Sequence, residues 1–190
     1  MKIGLFFGTF NPIHVGHLII ADHFAQYSDL DQVWLVVSPR NPLKGKDSLL
    51  KDHHRLAMVR VAVEDNPRLK ASDIEFNLDK PSYTVNTLAY LKDQHPEHHF
   101  CLIMGEDNLR SLDKWKNHEY ILDHHEIYVY PRDAEGDYEP EICEVKVVNA
   151  PRMNISASAI RTAIAEGKDV RYLLSKEVYE YLIEMHFYEK

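Results

Sequence analysis

A chain of 190 residues, 45% of them hydrophobic, is long enough to bury one sizeable core and short enough to be a single domain over 1–190. Its formal net charge of −8 argues against broad attraction to nucleic acid or anionic membranes, so an anionic ligand has to be held by local groups. Cys101 and Cys143 lack Cys-x-x-Cys spacing, which points away from a thiol redox pair or a cysteine zinc site, and no apolar run approaches the roughly 20 residues of a membrane span.

Lys2 to Phe7 reads as a short buried strand and Val15 to Tyr27 as a helix with Leu18, Ile19, Ala21 and Phe24 on its apolar side. Gly8, Asn11, Pro12 and His14 interrupt the apolar start before it resembles a signal peptide, so the cytoplasm is the expected location. The pattern repeats with a β-branched run over 32–39 and a helix over Asp52 to Asp65 carrying Leu56, Val59 and Val63. Between them, Ser38 to Leu50 forms a long loop with Pro39, Arg40, Pro42, Lys44, Gly45 and Lys46, of a length often tied to function.

Lys70 to Phe76 is a weaker strand, Val85 to Gln94 a helix, "HFCLIMG" a buried strand and "HHEIYVYP" another. The acidic stretch "RDAEGDYEPEIC" reads as a surface loop, "CEVKVVNAP" as the last strand, and Ser156 to Glu166 and Lys176 to Met185 as helices. Strands alternating with helices predict an α/β, Rossmann-like, doubly wound fold, with helices on both faces of a mainly parallel sheet. In such folds ligands bind outside the carboxyl ends of the strands.

The first strand–helix junction, "GTFNPIHVGH", is the most informative stretch. Gly8 allows close backbone approach, Pro12 fixes the chain, and the helix start offers unpaired N–H groups and a positive dipole end, which together suit an anion. His14 and His17, three apart, share one face of the first turn. Taken singly, each of these residues also suits a turn or a solvated helix start. There is no G-x-G-x-x-G turn and no Gly-Lys-Ser/Thr ending, and two histidines without acidic or cysteine partners are too few for zinc.

"GTFNPIHVGH" resembles the first signature of the nucleotidyltransferase superfamily that includes the nicotinate-nucleotide adenylyltransferases, and "ISASAIR", residues 155–161, resembles its second. "SPRNPLK", "PSYTVNTL" and "GEDNLRSLDKW" resemble segments of the bacterial nicotinate-nucleotide branch, so the similarity spans almost the whole chain. The chain departs from the family pattern in having Phe7 where Gly is frequent, Asn11 where Asp is frequent, and Ala157-Ser158 where Ser-Thr is frequent.

The resemblance implies adenylyl transfer from ATP to nicotinate mononucleotide, giving deamido-NAD and pyrophosphate, with Mg²⁺ held mainly by substrate phosphates and no protein metal ligand assigned. It implies ATP binding by Gly8, Thr9, Phe10, His14, His17, Gly105, Asp107, Ser156, Ser158 and Arg161, of which His14, His17 and Arg161 act in catalysis. It implies that Asn11, Lys44, Tyr83, Thr84, Trp115 and Arg132 meet the mononucleotide, with Trp115 stacked on the pyridine and Thr84 near its carboxylate. Without the resemblance, Trp115 reads as a packing aromatic, Thr84 and Ser156 as helix caps, and Lys44 and Arg132 as surface cations. An adenylyltransferase for nicotinamide mononucleotide or phosphopantetheine would use the same phosphate machinery, and an ATP sensor would use it without turnover. The expected partners are small molecules, with no nucleic acid and no membrane, and a homo-oligomer is compatible with the composition.

Overall fold

The computed structural model describes residues 1–39, 49–132 and 145–189. Six strands form one sheet in the order β3-β2-β1-β4-β5-β6: β1 (Lys2–Gly8), β2 (Gln32–Val37), β3 (Leu69–Ser72), β4 (His99–Gly105), β5 (Ile127–Tyr130) and β6 (Val145–Val147). Every neighbouring pair is parallel. This is the doubly wound strand order, in which the winding reverses between β1 and β4 and opens a crevice at their carboxyl ends.

Alternation along each strand explains why both faces carry helices. Phe6, Val33, Leu35, Val37, Cys101, Ile103, Tyr128 and Tyr130 point to one face. There they meet α1 (Val15–Tyr27), α2 (Asp52–Val63), α6 (Ala157–Ala165) and α7 (Lys176–Glu184). Ile3, Leu5, Trp34, Val36, Leu102, Met104, Ile127 and Val129 point to the other face. That face packs against α3 (Thr84–Gln94), α4 (Glu106–Leu109) and α5 (His118–His124). Two-residue periodicity thus produces two separate cores from one sheet. Among the described residues no helix is long and apolar enough to cross a membrane.

The strand–helix succession expected from the sequence is present, with local differences. The weak strand stops at Ser72, because Ser72 Oγ accepts the Ile74 N–H and the chain turns into a 3₁₀ segment, Ile74–Asn77. β5 begins three residues later than the apolar run, because His118–His124 is helical; Asn117, left-handed at φ 53°, starts that helix. Its single buried side chain, Ile121, is too sparse a signal to read as a helix. The expected last strand is observed from Val145 onward, while Lys44, Cys143 and most residues of the two expected loops lie outside the described residues.

Candidate active site

One cavity of about 1010 Å³ opens at the carboxyl ends of β1, β4 and β5. It is lined by Gly8, Thr9, Phe10, Asn11, His14 and His17 from the first junction, by Gly105, Asp107 and Arg132 from the next two strand ends, and by Ser156, Ser158 and Arg161 from the start of α6. A chain separation of 150 residues is closed by one contact: Arg161 Nη1 donates to the Asn11 carbonyl at 2.8 Å. The amino ends of α1 and α6 therefore face a common space, and both present first-turn N–H groups that suit phosphate oxygens.

Gly8 is required where it stands. A Cβ there would lie 2.8 Å from the Phe10 ring, which folds back over the strand end. Phe10 is buried and holds a left-handed backbone at φ 45°. Its ring meets that of His17 edge-on at 5.1 Å. At β4 a Cβ on Gly105 would lie 2.5 Å from Asp107 Oδ1, so the half-exposed Asp107 side chain would have to shift.

His14 is the extended residue immediately before α1, and it is buried. Its ring stacks on His17 with centroids 3.7 Å apart, while its backbone N–H donates to His17 Nδ1 at 3.3 Å. An accepting Nδ1 leaves the neutral His17 ring with its proton on Nε2, a donor. Among the described residues the buried His14 Nδ1 has no hydrogen-bond partner. Burial first, and the Arg132 cation second, push the His14 imidazole down to about 4, so it is neutral at ordinary pH.

At α6, Ser156 Oγ accepts from the Ala159 N–H at 3.2 Å and caps the helix. Arg161 Nη2 donates to Ser158 Oγ at 3.3 Å, so the guanidinium is braced by both signatures. Across the cavity Arg132 Nη1 donates to Asp107 Oδ2 at 3.2 Å. Asp107 is the single carboxylate among the described lining residues. That donor set fits a magnesium ion carried by phosphates, with at most one protein carboxylate, and does not form an all-protein cage. Two other groups of potential ligand atoms, His95–Glu97–His98 and His99–Cys101–Glu126, lie outside the cavity lining, toward the amino end of β4.

Tyr83, Thr84 and Trp115 do not line this cavity. Tyr83 and Trp115 pack against the second core together with Phe7, and Phe7 itself also lines the cavity. Thr84 is the first residue of α3. Behind it the buried Glu75 accepts from Thr87 Oγ1 at 2.9 Å and Ser82 Oγ at 3.2 Å, tying the "PSYT" turn to the 3₁₀ segment.

Sequence reasoning missed two residues that shape the site. Arg55, fully buried, uses all five N–H groups: toward the carbonyls of Leu50, Thr9, Ser38 and Pro39 and toward Asp52 Oδ1. Its signal was a cation in the buried stripe of α2 beside Leu56, Val59 and Val63. Tyr188, near the carboxyl terminus, donates to Asn11 Oδ1 at 2.6 Å, and nothing local in the sequence announces it.

Comparison with known proteins agrees with this geometry. A family model described as cytidylyltransferase-like matches residues 5–163. The chain belongs to that family. A Flavobacterium johnsoniae protein named "Probable nicotinate-nucleotide adenylyltransferase" is 56% identical over 196 residues, covering 100% of both chains. A Bacteroides thetaiotaomicron protein of the same name is 44% identical, covering 97% of this chain and 92% of its own. Within the wider family, the chain belongs with the nicotinate-nucleotide adenylyltransferases. In fold it is similar to the Plasmodium falciparum nicotinic acid mononucleotide adenylyltransferase complexed with NaAD, with a TM-score of 0.79 at 18% identity over 98% of this chain and 97% of that one.

Proposed function

We propose that the cavity transfers the adenylyl group of ATP to nicotinate mononucleotide, forming deamido-NAD and pyrophosphate. The observation that carries this reading is the Arg161 to Asn11 contact, which brings two anion-suited helix starts and two histidines to one space. A phosphate oxygen of the acceptor attacks the α-phosphorus of ATP, and the bond to the departing pyrophosphate breaks. A phosphomonoester with its second pKa near 6 is already ionised at neutral pH, so the protein need not supply a base. The absence of a nucleophile–base pair among the described lining residues suits that chemistry.

The chain's work is then positioning and charge stabilisation. His17, with its proton on Nε2, donates to the α-phosphate as negative charge grows there; His14 and the N–H groups beside Gly8 hold the triphosphate. Ser156, Ser158 and Arg161 receive the pyrophosphate at the start of α6. A magnesium ion carried by ATP would supply neutralisation of phosphate charge, and Asp107 would be the lining carboxylate available to it or to a ribose hydroxyl. Arg132 meets the mononucleotide phosphate, Asn11 bounds the pocket between the two substrates, and Tyr83, Thr84 and Trp115 receive the pyridine.

A carboxylate only accepts hydrogen bonds, so a pocket lined by donors such as the Thr84 hydroxyl and nearby N–H groups disfavours an amide. Parallel assays of pyrophosphate release with nicotinate mononucleotide, nicotinamide mononucleotide and phosphopantetheine test the choice. The expected result is the highest kcat/KM for nicotinate mononucleotide. Equal use of the nicotinamide compound would contradict the acceptor assignment, and release with none of them would contradict the reaction.

A further inference from the structure

We infer that Tyr188 is a positioning residue for the triphosphate grip, through which the carboxyl-terminal segment sets the first signature; this rests on the proposed use of that signature for ATP. The Tyr188 hydroxyl donates to Asn11 Oδ1 at 2.6 Å. The same oxygen accepts the Leu50 N–H at 3.2 Å, and the Asn11 carbonyl accepts Arg161 at 2.8 Å. Asn11 is buried, and it joins the left-handed Phe10 to Pro12 just before α1. Its orientation therefore fixes the backbone on both sides of the grip.

The tail is built to reach this point. His186 and Tyr188 both adopt left-handed backbones, φ 53° and 65°, which side-chain-bearing residues adopt at a cost. Docking compensates it: Phe187 packs edge-on against His54 at 4.7 Å, and the Tyr181 hydroxyl lies 2.9 Å from His54 Nδ1. α7 and α2 share the first core, so the tail is anchored on the helix that carries Arg55, whose guanidinium holds the Thr9 carbonyl. Position 11 is thus clasped from the tail, from α6 and from Leu50, and only an acceptor side chain there can use the Tyr188 hydroxyl.

A double-mutant cycle on the full chain tests the inference. Tyr188→Phe keeps the ring and removes the donor, so kcat/KM with ATP varied should fall about tenfold while Tm stays within about 3 °C. In an Asn11→Ala background, where the side-chain acceptor is gone, the same change should alter kcat/KM less than about twofold. Should Asn11→Ala fail to fold, Asn11→Asp serves: a buried carboxylate loses more with its donor, so the drop should be at least as large as in the native chain. A native-background drop below about twofold, a tenfold drop persisting in the Asn11→Ala background, or a smaller drop in the Asn11→Asp background would overturn the inference. Binding of a non-hydrolysable ATP analogue separates this from the reaction assignment: Tyr188→Phe should weaken it about tenfold even if no acceptor were turned over, and unchanged binding would refute the tail's role alone.

Discussion

His14 and His17 lie in mutual contact at the start of α1, rings stacked at 3.7 Å and the His14 N–H bonded to His17 Nδ1. The contact divides their roles. His14 is buried and neutral, whereas His17 has its tautomer chosen by its neighbour, with the ring proton on Nε2.

Replacing His17 by Ala removes a donor aimed at charge that develops during the reaction. Turnover should fall about a hundredfold or more, with the fold retained by circular dichroism. Steady-state kinetics check this, and near-normal turnover in the folded variant would take His17 out of the mechanism.

His14 gives the stability a pH dependence of known sign. Its folded value, about 4, lies below the ordinary 6.5, so between these the unfolded chain binds the extra proton and the native protein does not. The contribution is complete above about pH 6.5 and is lost as pH falls toward 4, amounting to on the order of 3 kcal/mol. Urea unfolding at about pH 7 and 4.5 should show a larger loss for the native chain than for His14→Asn, which removes the titrating ring. Equal losses would contradict the burial-driven shift.

Arg55 is expected to matter for folding more than any surface cation. Arg55→Met leaves four carbonyls and Asp52 without their shared donor and should cost about 3 kcal/mol or more. Arg55→Lys, with fewer donors and no planar fork, should recover only part of that. Urea midpoints measure both.

Cys101 should be chemically silent in the native protein. It is fully buried in the sheet, and burial pushes its thiol up to about 12, which leaves almost no thiolate at pH 8. In a Cys143→Ser background, iodoacetamide should label Cys101 only after denaturation. Rapid native labelling would contradict the packing.

Much of the fold is legible because the pattern is local. Val15–Tyr27 and His99–Gly105 match the sequence reading residue for residue, since a strand buried on both faces and a helix with a clear start leave continuous traces. The shared cavity of His17 and Arg161 followed from the two family signatures, because those residues sit at helix starts that a doubly wound sheet directs to one edge. Arg55 and Tyr188 were not legible in the same way. Their roles come from hydrogen bonds to residues 3 to 177 positions away, most of them at separations that no periodicity encodes. Tyr83, Thr84 and Trp115 occupy an intermediate position, grouped by motif but standing outside the main cavity's lining.

The most direct test follows the α-phosphate. With ATP labelled at that position and nicotinate mononucleotide as acceptor, label should appear in a dinucleotide together with one equivalent of unlabelled pyrophosphate, and Arg161→Ala should slow both alike. Label released as AMP, or retained in ATP while the folded protein is saturated with both substrates, would contradict adenylyl transfer at this cavity.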